Sequence, residues 1–212
     1  MSVPVAATVA GRAVTVTEVD ECEKALRATV LASALPRPDT SEGRQLRRWL
    51  TQLIVAERVV EAKTVEAEPV EAEPVDVVPG DVPAEDDLLP DTAARLEIGS
   101  IAASVLRDRR ARAVFVRVTA DVRVDDAEVA EYHARNPSRF STPVVVDGGW
   151  HHPPVPQTLD EARPAVAAHL LASARRRRFR LWLDARRAEL VALAPGYEHP
   201  GDPRQPDNTH KH

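Results

Sequence analysis

Histidines and acids offer the first chemistry in this 212-residue chain. His151 and His152 follow Trp150 in the run Gly148-Gly149-Trp150-His151-His152-Pro153-Pro154, and the last residues supply His199-Pro-Gly-Asp202 and His210-Lys-His212. Neutral imidazoles with one carboxylate are a donor set for zinc or copper, provided the tail folds back on the loop. No recognised zinc spacing is present, and terminal histidines bind metals adventitiously. The expectation is therefore no cofactor, with a Zn or Cu ion on His151, His152, His199, Asp202, His210 and His212 as the alternative. His133 and His169 lie in helical patterns and read as structural.

Nucleophilic chemistry finds little footing. There is no Gly-x-Ser-x-Gly elbow, no GxGxxG and no phosphate-binding loop. The single cysteine, Cys22, cannot form an internal disulfide, which fits a reducing compartment, and its spacing makes it a core thiol. A formal charge of −5 argues against nucleic acid as a partner. Arg175 to Arg178 do not reverse this, because four consecutive residues point in four directions around a helix. Aromatics are the remaining recognition groups. Trp49, Phe115, Tyr132, Phe140, Trp150 and Trp182 combine large contact area with little entropy loss, and are the candidates for contacting a polypeptide.

The elements that must carry these residues are mainly helical. Aromatics are only 4% of the chain against 43% hydrophobic residues in all, so the core rests on Ala, Val and Leu, which suits thin helix-on-helix packing. Eighteen prolines place much of the chain in connectors. Val3, Val5, Ala7 and Val9, then Gly11-Arg12, then Val14 and Val16 predict a β-hairpin. Thr17 is expected to cap a helix to about Leu35, with Cys22, Leu26 and Val30 on one face. A second helix from Glu42 carries Leu46, Trp49, Leu50, Leu53, Ile54 and Val60 as its apolar stripe, with Arg47, Arg48 and Gln52 on other sides.

Residues 65–91 contain Val-Glu-Ala-Glu-Pro twice, and positions 57–91 hold twelve acids against Arg58 and Lys63. Such a stretch reads as a solvated linker. Helix resumes near residue 92 and is expected to run toward Phe115, with Gly99 marking a close helix contact. Asp125 with Glu128, and Thr158 with Glu161, form capping boxes for a short helix and a long one. Pro164 is expected to kink the long helix. Leu190-Val-Ala-Leu-Ala194 is a candidate strand returning to the hairpin, and 195–212 is a tail rich in Pro and His. Residues 1–64 and 92–194 thus form one helical domain.

In order along the chain, these motifs resemble the SurA-like, PpiC-type family of parvulin-associated chaperones. Val9-Ala-Gly-Arg-Ala-Val14-Thr15 is similar to the family's opening strand and turn, and Leu53-Ile54 through Ala62 to its next helix. The stretch Val124-Asp-Asp-Ala-Glu128-Val129-Ala-Glu-Tyr132-His133-Ala-Arg-Asn136-Pro137-Ser-Arg-Phe140 resembles a third element, with His133 replacing an aromatic. Val166 through Phe179, Trp182 and Leu183 resembles the closing helix. The family carries a parvulin prolyl-isomerase domain between the last two elements, whereas here Thr142 to Thr158 is a loop, so isomerase activity is not expected.

The resemblance implies a SurA-like helical cradle with a small sheet that binds a polypeptide client or a dedicated protein partner without catalysis. With no apolar leader and no membrane-length run, cytoplasmic localisation without membrane contact is expected. The competing reading is a small enzyme or accessory factor, biosynthetic or metal-binding, that builds its site from residues 148–152 and the histidine tail.

Overall fold

The computed structural model describes residues 3–65, 82–142 and 155–199. Two short strands open the chain, β1 (Val5–Val9) and β2 (Arg12–Thr15), and helices follow: α1 (Val16–Arg27), α2 (Ser41–Val65), α3 (Glu85–Leu88), α4 (Thr92–Ile98), α5 (Ser100–Val105), α6 (Arg109–Val118) and α7 (Asp126–Arg135). A two-residue ribbon of β3 (Ser141–Thr142) and β4 (Val155–Pro156) leads to α8 (Leu159–Leu190) and β5 (Val191–Leu193). The architecture is mainly α with one small antiparallel sheet, as the composition predicts.

That sheet has the order β2-β1-β5, so the C-terminal strand does return to the hairpin. The turn differs by one residue from expectation. Val9 pairs with Arg12, which leaves Ala10-Gly11 as the loop, and both residues have positive φ, 47° and 78°. A two-residue hairpin that follows the strand twist needs this pair of conformations, and Gly11 adopts its half without strain. An irregularity between Val5 and Ala7 buries two consecutive alanines. Ala7 joins the main core and Ala6 a second cluster with Val19 and Leu50.

Helix α1 begins two residues earlier than Thr17 would place it. The Thr15 hydroxyl accepts from the Glu18 N–H at 3.2 Å, and the Glu18 carboxylate accepts from the Thr15 N–H at 2.7 Å. The helix also stops at Arg27, so Val30 does not share the face of Cys22 and Leu26 and is 98% exposed. Thr29 is the cause: its hydroxyl donates to Leu26 O and accepts from the Leu31 N–H, replacing the next helical bonds. Cys22 packs half-buried beside Val16, Leu26, Leu46 and Trp49. Burial, and then the charge of Glu57, push its thiol pKa up. Alkylation by iodoacetamide at pH 8 is therefore expected to be about tenfold slower than in the urea-unfolded chain. Equal rates would show an accessible, unperturbed thiol.

The centre of the fold is α2, which packs against β1, α1, α5, α6 and α8. Its apolar surface is wider than the predicted stripe, with Leu50, Val55, Ala56, Val59 and Val60 all buried. Arg48 and Gln52, expected on other sides, are buried as well. Backbone carbonyls of the last described residues accept them: Arg48 Nε donates to Gly196 O at 3.2 Å, and Gln52 Nε2 to Tyr197 O at 3.1 Å.

Helical structure is already present before residue 92. α3 lies inside the stretch expected to be linker, and Leu89 is 1% exposed in the main core. Residues 92–118 form three helices rather than one. Gly99 separates α4 from α5 with φ 89°, and a Cβ there would meet nothing within 4 Å, so its role is the backbone turn and not a close helix contact. Asp108 then caps α6 through the Arg110 N–H. Both predicted capping boxes are present at α7 and α8. α8 continues as one helix through Pro164 over 32 residues, about 48 Å at 1.5 Å per residue.

Candidate functional site

The length of α8 lets it serve two cores. Ala162 and Val166 in its first half pack with Val129 of α7, joined by Val124, Tyr132, Phe140 and Leu170. Phe179 and Leu183 in its second half enter the main core. Between these anchors, residues 169–175 are half-buried and Arg176 is buried, and a cleft lies on each side of the helix.

On one side a cleft of about 200 Å³ is bounded by Asp87 and Leu88 of α3, Phe115 of α6, and Ala168, Leu171, Ala172, Arg175 and Arg176 of α8. Its walls are largely apolar. The other cleft, about 320 Å³, lies between α7 and α8 and is more polar. Tyr132 and Leu170 form its apolar part, and Glu128, Glu131, Arg135 and Arg177 its rim.

A buried polar knot fixes α8 between the two clefts. Arg176, 5% exposed, donates from Nε to Glu97 Oε2 at 2.6 Å and from Nη1 to Leu88 O at 3.3 Å. The Ser173 hydroxyl donates to the other Glu97 oxygen, and Arg180 Nη1 to the Glu97 carbonyl at 3.1 Å. Nearby, His169 Nε2 meets the Tyr132 hydroxyl at 3.1 Å. Desolvation, then the charges of Arg139 and Arg176, hold the His169 pKa below its ordinary value. A neutral ring that accepts from the tyrosine is the consistent arrangement. His133 Nε2 faces the Gln157 carbonyl at 3.0 Å, which requires the proton on that nitrogen. Both histidines thus hold structure together, as their helical placement predicts.

A third cleft, of about 230 Å³, lies at the far end of α8. It is lined by Gly99, Ser100, Arg180, Leu183, Asp184, Arg187 and His199, among others. The Ser100 hydroxyl accepts from the Trp49 indole N–H at 3.3 Å, and Arg187 Nη2 donates to the buried Gln52 amide oxygen. Among the described residues no three His, Cys, Asp or Glu side chains converge on a common point. His199 is the one member of the expected metal set within them; His151, His152, Asp202, His210 and His212 lie outside the described residues.

The aromatic candidates divide among the cores instead of forming one surface. Phe115, 3% exposed, packs on Phe179 with ring centroids 5.2 Å apart, and Trp182 stacks on Phe179 at 5.5 Å. Tyr132 and Phe140 meet edge to face at 6.2 Å in the α7–α8 lobe. Trp49 packs with Leu50 and Val19. Phe115 and Tyr132 contribute to the two clefts beside α8, and Trp150 lies outside the described residues. Leu88, Glu97 and Leu171 shape the site without any mark in the sequence beyond the pair Leu88-Leu89, apolar within an acidic run, and Arg175 and Arg176 stand there only as part of a run of four arginines.

A family of unknown function, DUF7158, matches residues 5–42, the segment from β1 through α1 into the first turn of α2. No curated protein matches the chain, and no solved structure does. Among the described residues no helix is long and apolar enough to cross a membrane.

Proposed function

We propose that this chain is a non-catalytic, SurA-like polypeptide-binding protein of the chaperone class, acting in the cytoplasm without a prolyl-isomerase domain. The observation that carries the reading is the pair of clefts that flank the middle of α8. Apolar side chains there, Leu171 and Ala172 on one flank and Leu170 on the other, line open clefts between two packed lobes. An extended chain laid beside such a helix buries apolar surface without remodelling either core. The β3–β4 ribbon supports the reading too. It brings Thr142 and Val155 into register across the place where the resembling family inserts its isomerase.

The test is suppression of aggregation. An equimolar amount of the protein is expected to slow the turbidity of dithiothreitol-reduced insulin, and Leu171→Asp with Ala172→Asp is expected to abolish the effect while the melting temperature stays within a few degrees. No slowing by the unmodified protein would overturn the proposal. The enzyme or accessory-factor reading draws on the third cleft, where His199 stands with Ser100 and Asp184. Deleting residues 200–212 separates the two. Client protection survives under the first reading, whereas a tail-dependent activity is lost under the second. The cut belongs after His199, because Tyr197 O holds buried Gln52.

A further inference from the structure

Residues 190–197 lie in a groove that holds them by their main chain. β5 pairs with the edge of β1 that β2 leaves open, Ala7 opposite Leu193, Thr8 opposite Ala192 and Val9 opposite Val191. Two further bonds bracket the strand, from the Ala10 N–H to Leu190 O and from the Ala194 N–H to Ala6 O, both at 2.9 Å. Ala194-Pro195-Gly196-Tyr197 then turns back. The Tyr197 N–H donates to Ala194 O at 3.1 Å, and Gly196, with φ 91°, follows a proline as glycine does in a type II turn. The turn delivers Tyr197 to the cluster of Ala6, Val19 and Leu50.

Receptor and occupant are unequal. Ala6, Ala7, Val9, Arg48 and Gln52 are buried, whereas Ala192, Pro195 and Gly196 are exposed and Val191, Leu193 and Tyr197 only half-buried. Arg48 and Gln52, one turn apart on α2, donate to the consecutive carbonyls of Gly196 and Tyr197. Arg187 of α8 donates to the Gln52 amide oxygen, which turns the NH2 of that amide toward the groove. All these bonds from the receptor meet main-chain atoms of the occupant, so another extended chain can make the same set. Side-chain identity enters through the apolar strand residues and the tyrosine.

We infer that the groove between β1 and the first half of α2 is a second polypeptide site, which takes an extended apolar segment followed by a tight turn and an aromatic residue. The chain's own residues 191–197 fill it when no client does. This inference rests on the polypeptide-binding reading and adds a site and a client motif to it. Entry is an exchange, because Arg48 and Gln52 are buried and an incoming strand has to replace the carbonyls they lose. The tethered segment competes at an effective concentration on the order of millimolar, which keeps weak clients out.

The experiment uses the full chain with Leu193→Ala and Tyr197→Ala, which loosen the tethered segment and leave every receptor residue in place. The probe is a fluorescein-labelled peptide with the sequence of residues 190–198, read by fluorescence anisotropy. It is expected to bind this variant at least about tenfold more tightly than the unmodified protein. Methylating the peptide nitrogen that corresponds to Ala194 removes the bond to Ala6 O and is expected to weaken binding about tenfold, and Tyr197→Ala in the peptide by a similar factor. A second arm locks the segment. Thr8→Cys with Ala192→Cys, which face each other across β1 and β5, is added to Tyr197→Ala alone, and the oxidised protein is expected to bind the peptide at least about tenfold more weakly than the reduced one.

Equal binding by the loosened and unmodified proteins, by the plain and methylated peptides, or by the oxidised and reduced lock overturns the second site. If the unmodified protein still protects reduced insulin, the polypeptide-binding reading then stands on the clefts beside α8; loss of that protection as well overturns the reading itself. A dimer of the unmodified protein that the peptide dissociates, measured by light scattering, would assign the groove to the same segment of a second copy and overturn the client assignment.

Discussion

Phe179→Ala is expected to destabilise the protein by about 3–5 kcal/mol, the usual cost of removing a buried aromatic ring. The ring is fully buried, contacts both Phe115 and Trp182, and is the largest side chain buried below 2% exposure. Most of its neighbours in the main core are Val and Ala, and small residues on short or strongly connected elements cannot collapse into a ring-sized hole. Against an ordinary domain stability of about 5–15 kcal/mol, the loss lowers the urea midpoint severely and brings the fold near its limit. Urea titration followed by far-ultraviolet circular dichroism measures it. A loss below about 1 kcal/mol would mean that α8 shifts to fill the space, and the core would then be less rigid than its packing indicates.

The elements that sequence patterns made legible are those governed by neighbours close in the chain. Thr158 and Glu161, or Asp125 and Glu128, satisfy each other over three residues, and both boxes stand where they were read. The strand at 191–193 was legible because its apolar run follows a helix and the hairpin needs an outer partner. Local pattern is not enough where distant groups decide. Nothing local distinguishes Arg48 or Gln52 from Arg47 as a residue to bury. Their acceptors, Gly196 O and Tyr197 O, lie 148 and 145 positions away. Val30 failed for the opposite reason, since a threonine side chain ended the helix before a continuous apolar spacing did.

The candidate site was less legible than the fold for a related reason. Arg175 to Arg178 are identical in sequence, and the 100° step between them alone sends one to Glu97, one to the cleft beside α3, one to the rim of the α7–α8 cleft and one toward Asp121. The same step explains how one helix can present Leu170 to the α7 side and Leu171 to the α3 side. The aromatic side chains mostly build the cores. The groups that shape the clefts are aliphatic or charged, and sequence assigns them no special status.

Glu97→Ala is expected to cost about 2 kcal/mol at pH 7 and progressively less in acid. Removing one partner of a fully buried ion pair costs about 3–5 kcal/mol, and the one-third exposure of the Glu97 side chain lets water screen the remaining charge, which reduces the loss. Burial by itself raises the Glu97 pKa, but the hydrogen bonds from Ser173 and Arg176, with the charge of Arg176, outweigh it and hold the carboxyl below its ordinary 4.5. A carboxyl with a depressed folded pKa contributes stability that is fully present above pH 4.5 and is lost as the pH falls through the folded value. The stability gap between the two proteins should therefore be constant near neutrality, narrow below pH 4.5 and close once Glu97 is protonated. Urea midpoints at pH 7, 5 and 3.5 measure this, and a gap independent of pH would remove the ion pair as its cause. Glu97→Leu combined with Arg176→Met supplies the complementary arm, since an apolar pair of similar volume leaves no orphaned charge and is expected to recover most of the loss. If it does, the knot's contribution is specificity of placement. It holds the middle of α8 against α4 with the flanking clefts open, and client protection should then fall further than stability in the apolar pair.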